Sequence, residues 1–165
     1  MERKNIQILI QANQTKISKD SISQKASRIL SALAYEDHEL SIVITDNEGI
    51  KEMNRTYRNI DRPTNVLAFP MLEWGPDDVP FPGVKDDATQ APLLGDIVIS
   101  METAAQEAKS AAITLDERTS QLMVHGILHL VGYDHEQGED KARHMEEKSL
   151  ELIRLIEPNP DLEIF

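Results

Sequence analysis

The sequence predicts a single α+β domain over residues 1–165, a small mixed sheet packed against helices, with a three-histidine site on one helix and the turn after it. Three observations predict this. Strand-like segments occupy the first two thirds of the chain and helix-like segments the last third. A length of 165 residues, 40% of them hydrophobic, fills one core and leaves little for a second. Two histidines stand four residues apart in an apolar stretch, with a third beyond a glycine.

The elements follow in order. Residues 5–11 alternate Ile6, Ile8 and Ile10 against Gln7, Leu9 and Gln11, a period of two that predicts a strand. Ser18 or Asp20 can cap a helix running to about Leu33, with Ile22, Ala26, Ile29, Leu30 and Leu33 on one face. Residues 39–45 alternate again, with Leu40, Ile42 and Ile44 on one side. Asp46 is a good N-cap for a helix to about Tyr57. Residues 65–69 and 95–100 read as short strands, the second fully buried. Between them, residues 70–92 hold five prolines and two glycines and cannot form a regular element. Such a segment is either a tolerated insertion or a functional loop, and Trp74 in it either makes a contact or tucks the loop onto the body. Residues 101–111 predict a helix. Thr114 and Glu117 form a capping box that opens another, running to about Tyr133 and buried on most sides. A last helix over 139–156 carries Ala142, Met145, Leu152, Ile153 and Ile156 on one face and stops before Pro158. There are no internal repeats and no linker.

Composition excludes several classes. Without cysteine there are no disulfides and no thiolate metal sites, which fits a reducing cytoplasm. No apolar run is long enough to span a membrane, and the first ten residues do not read as a signal peptide. A net charge of −12 repels nucleic acid on average, so any role on RNA needs a local basic patch, a bound cation or a partner. The plain consequence of the acidity is solubility.

His125, His129 and His135 carry the chemistry. Residues four apart share a helix face, so His125 and His129 can address one ion. Gly132 can take the positive φ that ends the helix, which lets His135 swing back. Three imidazoles leave a fourth tetrahedral position for water, the arrangement of catalytic rather than structural zinc. Left unpaired, three buried imidazoles would cost several kcal/mol, which a metal removes. The donor set also accepts nickel, copper or cobalt. The spacing is zincin-like and resembles the metzincin protease signature, with one departure. Where those enzymes carry a catalytic glutamate, this chain has Gly126, so peptidase activity by that route is not expected.

The string His125-Gly-Ile-Leu-His-Leu-Val-Gly-Tyr-Asp-His135 resembles the signature of the YbeY family of bacterial zinc-dependent endoribonucleases. Met53-Asn-Arg-Thr-Tyr-Arg58, Pro63-Thr-Asn-Val-Leu-Ala-Phe-Pro70 and Leu94-Gly-Asp-Ile-Val-Ile-Ser100 are similar to three further blocks of that family, in the same order. Ala68 departs from its usual serine. The resemblance implies an α+β fold with one zinc ion in a cleft beside the sheet, and a cytoplasmic role in rRNA maturation and ribosome quality control. RNA and ribosomal proteins would be the partners. It nominates His125, His129 and His135 as ligands and Arg58 as the functional arginine of the cleft. Arg58 would clamp charge growing on a phosphate, and Arg55 and Arg62 read either as extending a local basic strip around Arg58 or as a solvated helix end paired with Glu52 and Asp61. Asp134 and Asp96 are candidates to orient a ligand imidazole, or to serve as base. His38 and His144 read as surface residues. Two other functions stay open: a zinc hydrolase of another phosphoester or peptide, and a non-catalytic ribosome-assembly factor whose metal stabilises the fold.

Overall fold

The computed structural model describes residues 5–11, 17–71 and 92–164. In chain order the elements are β1 (Ile6–Ile10), α1 (Lys19–Ala32), β2 (Glu39–Thr45), α2 (Asn47–Arg58), β3 (Val66–Pro70), β4 (Leu93–Ser100), α3 (Met101–Ala111), α4 (Leu115–Leu130) and α5 (Glu139–Ile156). Of the proline-rich segment, residues 72–91, Trp74 among them, lie outside the described residues.

The strands form one mixed sheet in the order β1-β2-β4-β3, with β1, β2 and β4 parallel and β3 antiparallel on an edge. Parallel neighbours cannot be joined by a tight turn, and α1 supplies the crossover from β1 to β2. Register sets Ile8 beside Ile42 and Ile97, and Ile10 beside Ile44 and Ile99. Ile42, Ile44, Ile97 and Ile99 are fully buried, in one cluster with Ile29 and Leu30 of α1 and Leu122 and Ile127 of α4. Burying each such side chain contributes about 1.5–3 kcal/mol. The alternate residues face the other way. There Val98 of β4 and Leu67 of β3 pack with Ile50 of α2 in a smaller cluster. The sheet therefore carries α1 and α4 on one face and α2 on the other.

Local chemistry starts the helices where the sequence signals them. Ser18, Asp46, Ser100 and Thr114 each accept a backbone N–H with an extended N-cap conformation. The Thr114–Glu117 box is reciprocal, with bonds of 2.9 and 3.0 Å. Beyond α5 the chain runs back along α4. Leu162 is buried there, the Gln121 amide donates to the Glu163 carbonyl, and the Asn159 amide donates to Glu117.

One expectation fails. His38 is buried, not on the surface: its ring meets that of Tyr35 at 4.7 Å, and its backbone N–H bonds the Tyr35 carbonyl. Its acidic neighbours Asp37 and Glu39 point to solvent, and the tight turn after α1 folds the imidazole inward between them. His144 is exposed on α5, as expected.

Candidate metal centre

α4 is the most enclosed helix of the fold, packed against β3, β4, α1, α3 and α5. It closes at Leu130, three residues before the expected end. Gly132 then adopts φ 97°, and the Gly132 and Tyr133 N–H groups bond the His129 and Leu128 carbonyls. These bonds satisfy carbonyls at the helix end, and the left-handed residue reverses the chain. Asp134 Oδ1 accepts the Glu136 N–H at 2.9 Å, which braces the turn on either side of His135.

The turn brings His135 back over the helix. One ring nitrogen from each of His125, His129 and His135 lies within 4.8 Å of the others. The His125 and His129 Nε2 atoms are 3.0 Å apart, and ring centroids are separated by 4.5, 5.4 and 5.5 Å. Two imidazoles sharing one tetrahedral zinc, each bond about 2.0–2.1 Å, hold their nitrogens roughly 3.3 Å apart. The donor set thus fits one divalent ion with little movement.

Electrostatics favour the same outcome. Burial, the neighbouring His129 and His135, and the Arg118 guanidinium push the His125 pKa down to about 3. Burial and His135 also lower that of His129, opposed by Asp134, a hydrogen bond to the Tyr133 backbone, and Glu136. Both rings are therefore neutral at neutral pH, the form that ligates a metal. The His135 side chain is 48% exposed, so the group opens to solvent on that side.

Gly126 has a packing reason. A Cβ there would meet the Ile97 side chain at 3.0 Å, because α4 lies close on β4 at that point. The position faces the sheet, so a glutamate there would be driven into the core rather than toward the histidines. The missing protease base is thus excluded by shape as well as by sequence.

Arg118 was not singled out in the sequence. It is buried two helical turns before His125, bonds Gln121 at 2.8 Å, and pairs with Glu107 of α3 at 3.1 Å. Glu107 in turn accepts from the Asn65 amide just before β3. The network ties the edge strand, α3 and the tail to the histidine helix. An arginine seven residues before His125, and so on the same helix face, was the available signal. A cavity of about 820 Å³ adjoins the histidines, lined by His125, His135, Met145, Ser149, Leu150 and Ile164 among others.

The acids separate. Asp134 lies beside the histidines and its charge acts on His129. Asp96 does not fit the role of orienting a ligand ring. It alternates with Ile97, which faces α4, so its side chain is on the opposite sheet face, in the row of Ser41 and Phe69. Arg58 is the last residue of α2 and is exposed. It is not one of the histidine group. It follows Tyr57, whose ring meets Phe69 of β3 at 5.4 Å, and β3 is the edge strand against which α4 packs on its other side.

Comparison with known proteins agrees with this picture. A family model described as Endoribonuclease YbeY matches residues 7–157. The chain is 41% identical to the Endoribonuclease YbeY of Aquifex aeolicus, over 88% of this chain and 89% of that one. It is 46% identical to that of Geobacter metallireducens, over 80% and 82%. The fold is similar to a solution structure of a Thermotoga maritima protein, with a TM-score of 0.62 at 27% identity, over 92% of this chain and 88% of that one. With the three histidines gathered on α4 and its following turn, and this likeness running through most of its length, the chain belongs to the YbeY family.

Proposed function

We propose that this protein is a zinc-dependent endoribonuclease of the cytoplasm, acting on rRNA precursors in ribosome maturation and quality control. The observation that carries the reading is the convergence of three ring nitrogens within 4.8 Å. Family membership supports the nuclease activity, and an endoribonuclease activity in the relatives implies RNA as the substrate.

His125, His129 and His135 would hold the ion. Zinc bound there would supply Lewis-acid polarisation and water activation at neutral pH. The burial of His125 and His129 keeps both rings unprotonated and oriented, and the half-exposed His135 marks the side from which RNA arrives. Arg58 offers a planar fork of donors to phosphate oxygens as negative charge grows on them. Asp134 is engaged by the Glu136 N–H, so it acts as the brace of the His135 turn rather than as a base. A second carboxylate stands beside the histidines: Glu136 Oε1 is 3.9 Å from His135 Nε2. With a net charge of −12, selection of the cut site falls to ribosomal proteins that deliver the substrate.

The test is cleavage of precursor rRNA by zinc-loaded protein. Wild type should cut, His129→Ala should not, and Arg58→Ala should cut at a sharply reduced rate with zinc content unchanged. Full cleavage by His129→Ala would overturn the reading.

A further inference from the structure

Tyr57 is 68% exposed, more than any other large hydrophobic side chain among the described residues. It is not a loose surface group. Its ring leans on Phe69 at 5.4 Å and 61°, a contact that fixes it against β3 without covering it. Aromatics make up only 4% of this chain, and most of this one stays in water.

Its surroundings are cationic in an acidic chain. Arg58 follows it, and the Arg62 backbone is held to the same helix end: the buried Asn54 donates its side-chain amide to the Arg62 carbonyl at 2.9 Å, and the Asn54 backbone carbonyl accepts the Ile60 N–H. Earlier cations of α2 are engaged locally, Lys51 with Asp61 and Arg55 with Glu52. Among the described residues neither Arg58 nor Arg62 forms a salt bridge, and both are exposed. One fixed, uncovered ring at the end of α2, with exposed Arg58 next to it in the chain and the Arg62 backbone held against the same helix end, suits a base and its flanking phosphates.

We propose that Tyr57 is a stacking platform for one unpaired base of the RNA, with Arg58 and Arg62 holding the phosphates beside it. The inference rests on the nuclease reading and deepens it. The substrate is single-stranded at this contact, because bases within an A-form helix present no free face. Stacking is indifferent to base identity, which suits an enzyme whose cut site is chosen by other proteins.

The experiment measures binding of a fluorescein-labelled 2′-O-methyl oligonucleotide by anisotropy, alongside kcat and KM on the matching RNA. The variants are Tyr57→Phe, Tyr57→Leu and Tyr57→Ala. Leucine keeps an apolar contact with Phe69 but offers no π face. Tyr57→Ala and Tyr57→Leu should weaken binding about 5- to 100-fold, and Tyr57→Phe less than about twofold. KM should move with Kd while kcat changes less. Walking one abasic nucleotide along the oligonucleotide should find a position that reproduces the loss in wild type and adds nothing in Tyr57→Ala. Wild-type affinity in Tyr57→Leu would show a packing role and overturn the stack, as would abasic losses that simply add to that of Tyr57→Ala. RNA cleaved with a KM indifferent to Tyr57 removes the stack and leaves the nuclease reading standing. Tyr57-dependent binding without any cleavage does the reverse.

Discussion

α4 and α2 flank the same edge strand from opposite faces of the sheet, and they are built on opposite principles. α4 is enclosed, and its functional imidazoles share the helix with much of the core. α2 buries only Ile50 and Asn54 and carries its arginines and Tyr57 in solvent. A metal site needs ligands held to within tenths of an ångström, which packing supplies. Contact with a flexible polyanion needs reach and charge, which an exposed helix end supplies. Substitutions in α4 should therefore act on folding and chemistry together, and those at the end of α2 on chemistry alone.

The largest effect should come from Gly126→Glu. It drives a charged side chain toward Ile97 at a buried position where even a Cβ would sit tightly, 3.0 Å from that side chain. We expect a loss of more than about 4 kcal/mol, read as failure to fold or a collapsed denaturation midpoint, and no gain of peptidase activity. A stable Gly126→Glu protein would break the account of α4. Arg58→Ala supplies the contrast. RNA cleavage should fall about 100-fold while stability stays within about 0.5 kcal/mol. A comparable loss of stability would mean that α2 is not the independent half described above.

Smaller changes sharpen the comparison. Arg118→Met removes the cation facing Glu107, which keeps the Asn65 amide, and loosens the tie between β3 and α4, costing about 2 kcal/mol in chemical denaturation, moderated by the solvent that reaches Glu107. Thr114→Ala removes one half of the capping box at the start of α4 and should cost about 1 kcal/mol. The smallest effect concerns His38, whose pKa is lowered by burial against the weaker pull of Asp37 and Glu36. Below its unfolded pKa near 6.5 the unfolded chain takes up a proton that the folded chain resists, so stability is complete above that pH and declines as pH falls. His125 and His129 act in the same direction. His38→Phe keeps a ring against Tyr35 and removes one titration. The stability difference between pH 7.5 and 5.5 should therefore be smaller in the variant than in wild type.

Much of this was legible in the chain. Alternating isoleucines, capping residues and one-sided helix faces located each strand and helix of the described residues to within a few residues, because each signal is local. The histidine cluster was legible for the same reason: a four-residue spacing, one glycine and a reversal are short-range geometry. What misled was tertiary. β4 begins at Leu93 rather than Gly95, because pairing with β2 across a register irregularity recruits two more residues. Asp96 sits in a buried strand, yet strand alternation turns it to the face opposite α4. His38 has charged neighbours and only the turn after α1 places it inside. Arg118 carries no local signal of burial, because its partner Glu107 is on α3.

The central claim is that His125, His129 and His135 share one ion. Elemental analysis of purified wild type beside folded single alanine variants at the three positions tests it most directly. The account predicts about one zinc per chain in wild type and its loss in each variant. A metal-free wild type, or a His125→Ala protein that keeps its full zinc, would contradict it.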